Sequence, residues 1–191
     1  RKPGMLQNFE KAEILPKEGK IGDYLQKGYK IPVQITKEPI NSKGPRLTAS
    51  LSLAGRFCVL LPVDSGVSVS RKIVDANEKK RLKQIASQAL PRNFGVIVRT
   101  AAVGAGSDEI SSDIQDLVTK WKEISQKIAA AKPKDLISKE ITRVTGLLRD
   151  LLSDQFDQIL VDHPGMAEQL REYVQGIAPD KVNLVQDYKG K

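Results

Sequence analysis

Gly95-Val96-Ile97-Val98-Arg99-Thr100 is a short apolar, β-branched run that ends in a guanidinium and a hydroxyl. Such a run predicts a buried β-strand over 94–99. Side chains at the end of a buried strand stand on a rigid support and can project into a pocket. Arginine offers a planar fork of donors that fits phosphate oxygens. Threonine adds one hydroxyl donor. Arg99 and Thr100 are therefore a candidate phosphate contact. The plainer reading is that they close a strand, with Arg99 in a structural ion pair.

On the N-terminal side of this strand, residues 77–90 have helical spacing, with Leu82, Ile85, Ala86 and Ala89 on one face. Before that helix come Val67 to Ser70 and the basic pair Arg71-Lys72. Alternation predicts three earlier strands, at 31–36, 47–53 and 56–61, with Pro32 marking a strand start or an edge. The first two are expected to pair across the turn-rich segment 37–46, which carries Lys37, Lys43 and Arg46. On the C-terminal side, the small-residue segment 101–106 leads to a helix expected to be capped by Ser107, with Asp108 and Glu109 at its positive end. Its stripe of Ile110, Ile114, Leu117, Val118, Trp121, Ile124 and Ile128 reads as core, and Lys132-Pro133-Lys134 ends it. A helix over 138–152 follows, with Ile141, Val144, Leu147, Leu148 and Leu151 inward. Then come a strand at 158–162, a helix at 165–176 and a last strand at 181–188. The fold class is mixed α+β and α/β.

The chain has 191 residues, 40% of them hydrophobic, which is enough to build a core. Its formal net charge of +8 favours a polyanionic partner, nucleic acid before membrane, although the charge could serve solubility alone. No run approaches the roughly 18 to 20 apolar residues of a membrane span, and the first residues lack an apolar signal core. The single cysteine, Cys58, lies in an apolar run, so it reads as a small core residue. It has no partner for a disulfide or a zinc cluster, which points to a reducing compartment.

Several runs read together resemble the ribonuclease E/G family. They are Leu51-Ser52-Leu53-Ala54-Gly55-Arg56-Phe57-Cys58-Val59-Leu60-Leu61-Pro62, Ser68-Val69-Ser70-Arg71-Lys72-Ile73, Gly95 to Gly104, and Leu148-Arg149-Asp150-Leu151 followed by Ile159-Leu160-Val161-Asp162. The match extends over roughly residues 28–188. The resemblance implies an endoribonuclease that cleaves single-stranded RNA in RNA processing and decay, prefers a 5′-monophosphate and uses a divalent metal. It also implies a layout: residues 1–52 a partial OB-fold RNA-binding domain, 53–144 a 5′-monophosphate sensor, and 145–191 part of a ribonuclease-H-like domain.

Carried over residue by residue, the resemblance implies that Arg99 and Thr100 hold the 5′-phosphate. Gly55 and Val59 line the same pocket, and Lys43 in the hairpin contacts RNA. The plainer readings are a turn glycine for Gly55, a core residue for Val59 and a solvated lysine for Lys43. No catalytic or metal-binding residue is expected in this chain. Magnesium, and in some members a structural zinc, would belong to the rest of the parent enzyme, beyond Lys191. Asp162 ends a strand without a visible carboxylate partner, and His163, before Pro164, reads as a surface or capping residue rather than a general base. The expected partner is single-stranded RNA with a 5′-monophosphate, and a homo-oligomer would assemble through parts absent here. The expected compartment is the bacterial cytoplasm, or an organelle of bacterial descent such as the plastid. The alternative is a non-catalytic RNA-binding or assembly protein that retains the sensor fold. A generic α/β domain without an RNA role would show no salt-dependent RNA binding.

Overall fold

The structure, a computed structural model, describes residues 18–139, 143–152 and 156–190. Residues 1–17, Ile141 and the expected helical positions 140–142 lie outside them. The chain divides into two compact units, one running to Ser138 and the other starting at Lys139. The architecture is mixed α and β, as the sequence suggests.

The first unit opens with an antiparallel hairpin of β1 (Gln34–Lys37) and β2 (Arg46–Thr48). Strand structure is absent at Ile31 and Pro32, where proline lacks the N–H a ladder needs. The strand expected over 47–53 is two strands in two sheets, β2 and β3 (Leu53–Ala54). The break follows from a local turn: the Ser50 N–H donates to the Thr48 hydroxyl at 3.1 Å, a bond that competes with the ladder.

β3 begins a four-stranded sheet in the order β3-β4-β6-β5, with β4 (Cys58–Leu61), β5 (Gly66–Val69) and β6 (Gly95–Val98). β3 and β4 are antiparallel, as are β4 and β6, whereas β5 and β6 are parallel. A parallel pair needs a crossover, which α1 (Ala76–Ala89) supplies. Asp75 caps α1: its Oδ1 accepts from the N–H groups of Asn77 at 2.7 Å and Glu78 at 3.0 Å. α2 (Ser107–Ala130) runs beyond the sheet. It starts one residue earlier than Ser107 capping would allow. Gly106 is the cap, and its N–H donates to the Glu109 carboxylate at 2.8 Å.

Strand alternation divides the sheet into two faces. Cys58, Leu60, Val96 and Val98 are buried and form one core with Leu82 and Ala86 of α1 and Ile110, Ile114, Leu117, Val118, Trp121 and Ile124 of α2. Val59 and Ile97 are register partners on the opposite, less buried face.

In the second unit, α3 (Arg143–Leu151) precedes the parallel pair β7 (Ile159–Val161) and β8 (Val185–Asp187), with α4 (Pro164–Ile177) between the two strands. Leu148, Leu152, Val161, Ala167, Leu170, Val174, Ala178 and Val185 form its core. Leu147 and Leu151 are exposed, contrary to expectation, because the inward side of α3 passes through Thr145 and Leu148. The strand expected over 181–188 is shortened by a 3₁₀ helix, Pro179–Leu184. Pro179 sets a helical φ at its start, and the Lys181 N–H closes onto Ala178 O at 2.9 Å. Among the described residues no helix is long and apolar enough to cross a membrane.

Candidate functional site

Antiparallel β4 starts where β6 ends, and parallel β5 ends beside it. One end of the sheet therefore gathers the β3–β4 turn, the Ser70-Arg71-Lys72 segment and Arg99-Thr100. The backbone joins them: Arg99 N–H donates to Phe57 O at 2.8 Å and Ser70 N–H to Val98 O at 2.8 Å. Thr100 opens a 3₁₀ turn, Thr100–Ala102, and is exposed.

The β3–β4 turn is gripped from two sides. Arg99 Nη1 donates to Gly55 O at 2.8 Å and reaches Arg56 O at 3.4 Å. From α2, the Asp113 carboxylate accepts from the N–H of Arg56 at 3.0 Å, of Phe57 at 3.0 Å and of Cys58 at 2.8 Å. Carbonyls face the cation and amides face the anion, so the turn's polar groups are met by opposite charge. The Arg56 guanidinium lies 4.9 Å from the centroid of the Phe57 ring.

Gly55 is required here by space. A Cβ on it would meet Asp113 Oδ2 at 2.6 Å and Cγ at 2.8 Å. The turn glycine and the carboxylate thus fit only together. Burial pushes the Asp113 carboxyl above its ordinary value, opposed by the three amide donors, with Asp116 adding to the rise. Burial, followed by the charge of Asp113, pushes the Cys58 thiol up to about 12, against the pull of Arg99.

A second grip holds the segment after Thr100. Glu78 Oε1 accepts from Gly104 N–H at 3.0 Å, and Arg81 Nη1 donates to Ala105 O at 3.0 Å. The two side chains are joined by a two-pronged ion pair, Nε–Oε2 and Nη2–Oε1, both 2.7 Å. That pair, with the Gly104 N–H, holds Glu78 down to about 2.

Arg99, Gly55 and Thr100 are thus contiguous at the sheet end, and Val59 is the second residue of β4, facing Ile97 on the less buried side. Lys43 stands elsewhere, in the β1–β2 connection, exposed and bridged to Ile40. Asp113, Glu78 and Arg81 are the residues that sequence reading overlooked. Asp162 and His163 are exposed, and His163 occupies the N-cap position of α4 without a side-chain cap bond. Among the described residues no three metal-ligating side chains cluster.

One end of this βαβ-containing sheet thus brings together an arginine, an exposed hydroxyl and a glycine turn held from two sides. The Ribonuclease E/G family model matches residues 52–191. The chain belongs to that family. It is 33% identical over 168 residues to a Ribonuclease E of Synechocystis sp., covering 86% of this chain and 25% of that protein. It is 35% identical over 172 residues to a Ribonuclease E/G-like chloroplastic protein of Arabidopsis thaliana, covering 85% and 17%. With a Ribonuclease G of Escherichia coli it shares 30% identity over 171 residues, covering 90% and 35%. The chain therefore spans from about a sixth to about a third of the length of these relatives.

Proposed function

We propose that this chain is the RNA-end-recognition portion of a ribonuclease E/G-type endoribonuclease. Arg99 and Thr100 donate to a 5′-monophosphate, the Gly55 turn and Val59 form the facing wall, and Lys43 guides the strand by its backbone charge. The layout accompanying this reading is a partial OB-fold to residue 52, the sensor over 53–144 and part of a ribonuclease-H-like domain beyond. Single-stranded RNA is the substrate, and the cleavage belongs to another part of the enzyme. The described residues include no cluster of three or more side chains that would hold the divalent metal this reading implies.

The observation that carries the reading is the convergence at the sheet end. Arg99 is oriented by Gly55 O, and Thr100 follows it at the mouth of the same turn. An arginine whose plane is set in advance loses less freedom on meeting a phosphate. The net charge of +8 supports a polyanionic ligand.

The test compares binding of the same single-stranded RNA carrying a 5′-monophosphate or a 5′-hydroxyl. The wild-type chain prefers the monophosphate, and Thr100→Val reduces that preference about tenfold, as one charge-assisted contact is worth. Arg99→Ala abolishes it. Equal affinity of the wild-type chain for both RNAs removes the sensor reading. Magnesium-dependent cleavage by the purified chain removes the assignment of chemistry elsewhere.

A further inference from the structure

We propose that Glu78 and Arg81 of α1 are positioning residues for phosphate recognition, acting through the backbone that follows Thr100. This rests on the reading of Arg99 and Thr100 as the 5′-phosphate contact.

The argument begins with how Thr100 is held. On its N-terminal side, Arg99 N–H is fixed to Phe57 O at 2.8 Å. On its C-terminal side the chain is a series of tight turns: Val103 N–H to Thr100 O at 3.1 Å, then Ala105 N–H to Ala102 O at 3.1 Å. The series ends at Gly104, which has φ +76°, a conformation that side-chain-bearing residues rarely adopt. Ala102, in the middle of the segment, is fully buried in the core, while the residues after it are held at their far end by side chains of α1. The anchor there is the α1 pair, which meets one donor and one acceptor of adjacent residues, Gly104 N–H and Ala105 O.

The pair is itself fixed. Glu78 sits in the first turn of α1, where its own N–H is capped by Asp75 Oδ1 at 3.0 Å. The two-pronged ion pair sets the Arg81 plane, so that Nη1 points at Ala105 O. An isolated surface pair contributes little. This one is bonded on both members to the backbone of another segment, so its loss frees the Gly104-Ala105 end of that segment. The hydroxyl of Thr100 would then sample positions that no longer meet a phosphate held by Arg99. Lysine at position 81 keeps the charge but cannot serve both Glu78 oxygens and the carbonyl together.

The experiment measures the ratio of affinities for 5′-monophosphorylated and 5′-hydroxyl RNA in the wild type, Thr100→Val, Arg81→Met, Arg81→Lys and Glu78→Gln. Urea midpoints by Trp121 fluorescence and amide exchange at Gly104 are followed alongside. Arg81→Met lowers the ratio about as far as Thr100→Val, roughly tenfold. Its affinity for 5′-hydroxyl RNA is unchanged and exchange at Gly104 accelerates. Arg81→Lys and Glu78→Gln fall between. A variant set that lowers the urea midpoint but keeps the ratio overturns the proposal, because the pair then only stabilises. So does a ratio that falls with Thr100→Val and stays at the wild-type value in all three α1 variants. A wild-type ratio of one is a different failure: it removes the phosphate reading and this inference with it.

Discussion

Gly55→Ala sets a methyl group against the carboxylate of Asp113. The added Cβ would stand 2.6 Å from Oδ2 and 2.8 Å from Cγ, where ordinary contacts are about 3.5–4.0 Å. The carboxylate has to retreat by about 1 Å, which stretches amide bonds now at 2.8–3.0 Å beyond hydrogen-bonding range. Hydrogen bonds to a charged group contribute about 1.5–3 kcal/mol each. Part of that is recovered from water at this partly buried position, leaving a destabilisation of about 2–4 kcal/mol. Asp113→Ala strands the same three amides and costs a similar amount. The double variant separates this argument from a simple intolerance of the turn. Gly55 lies outside the positive-φ region, so alanine there is limited by the contact, not by φ. In the Asp113→Ala background the second substitution costs less than about 0.5 kcal/mol, a coupling of about 2 kcal/mol or more. Urea unfolding followed through Trp121, the one tryptophan, buried in the first unit, measures each corner of the cycle. Additive single effects, or a Gly55→Ala chain as stable as wild type, would refute the reasoning.

Two further expectations concern titrating groups near the site. Glu78 is held down to about 2 by Arg81 and the Gly104 N–H, against an ordinary 4.5. A carboxyl with a depressed folded value adds stability that is fully present above 4.5 and is lost as pH falls through about 2. A carbon-13 titration of the Glu78 carboxyl, with the Gly104 amide shift as a second probe, is expected to show a midpoint near the lower value. A midpoint at the ordinary value contradicts the two-sided grip. Cys58, buried and pushed up to about 12, should resist a disulfide-exchange reagent at pH about 8 until the first unit unfolds, since the thiolate is the reactive form. Immediate labelling of the native chain would contradict its placement in the core.

The strand 94–99, the long apolar stripe of α2 and the burial of Cys58 and Trp121 were legible because each depends on local periodicity. Other features depended on partners distant in sequence. Asp113 falls on the buried stripe, three residues after Ile110 and four before Leu117. A carboxylate in that position needs a partner, which was a readable signal, but its partners are main-chain amides more than fifty residues away. Glu78 and Arg81 stand at i,i+3 on α1, a spacing common to surface ion pairs, and only the return of residues 104–105 to α1 gives them a further role. The division of the second strand came from a threonine hydroxyl, and the shortening of the last one from a 3₁₀ helix begun by a proline. Both are single local bonds or ring constraints that outweigh an alternating pattern.

Arg99 has two roles that its own deletion cannot separate. It is proposed to meet the phosphate, and it already donates to Gly55 O, so Arg99→Ala removes a ligand contact and releases the turn at once. The neighbouring residues divide these roles. Thr100 is exposed, and its valine variant tests ligand contact with the turn intact. Asp113 touches the turn from the helix side, and its variants test the turn with the arginine intact. If the phosphate preference is unchanged by Asp113→Asn but falls with Thr100→Val, the Arg99 bond alone suffices to shape the pocket. If both lower it, recognition depends on a turn held from both sides. In that case the buried carboxylate of α2, which no motif marks, belongs to the recognition site as fully as the arginine that the sequence displays.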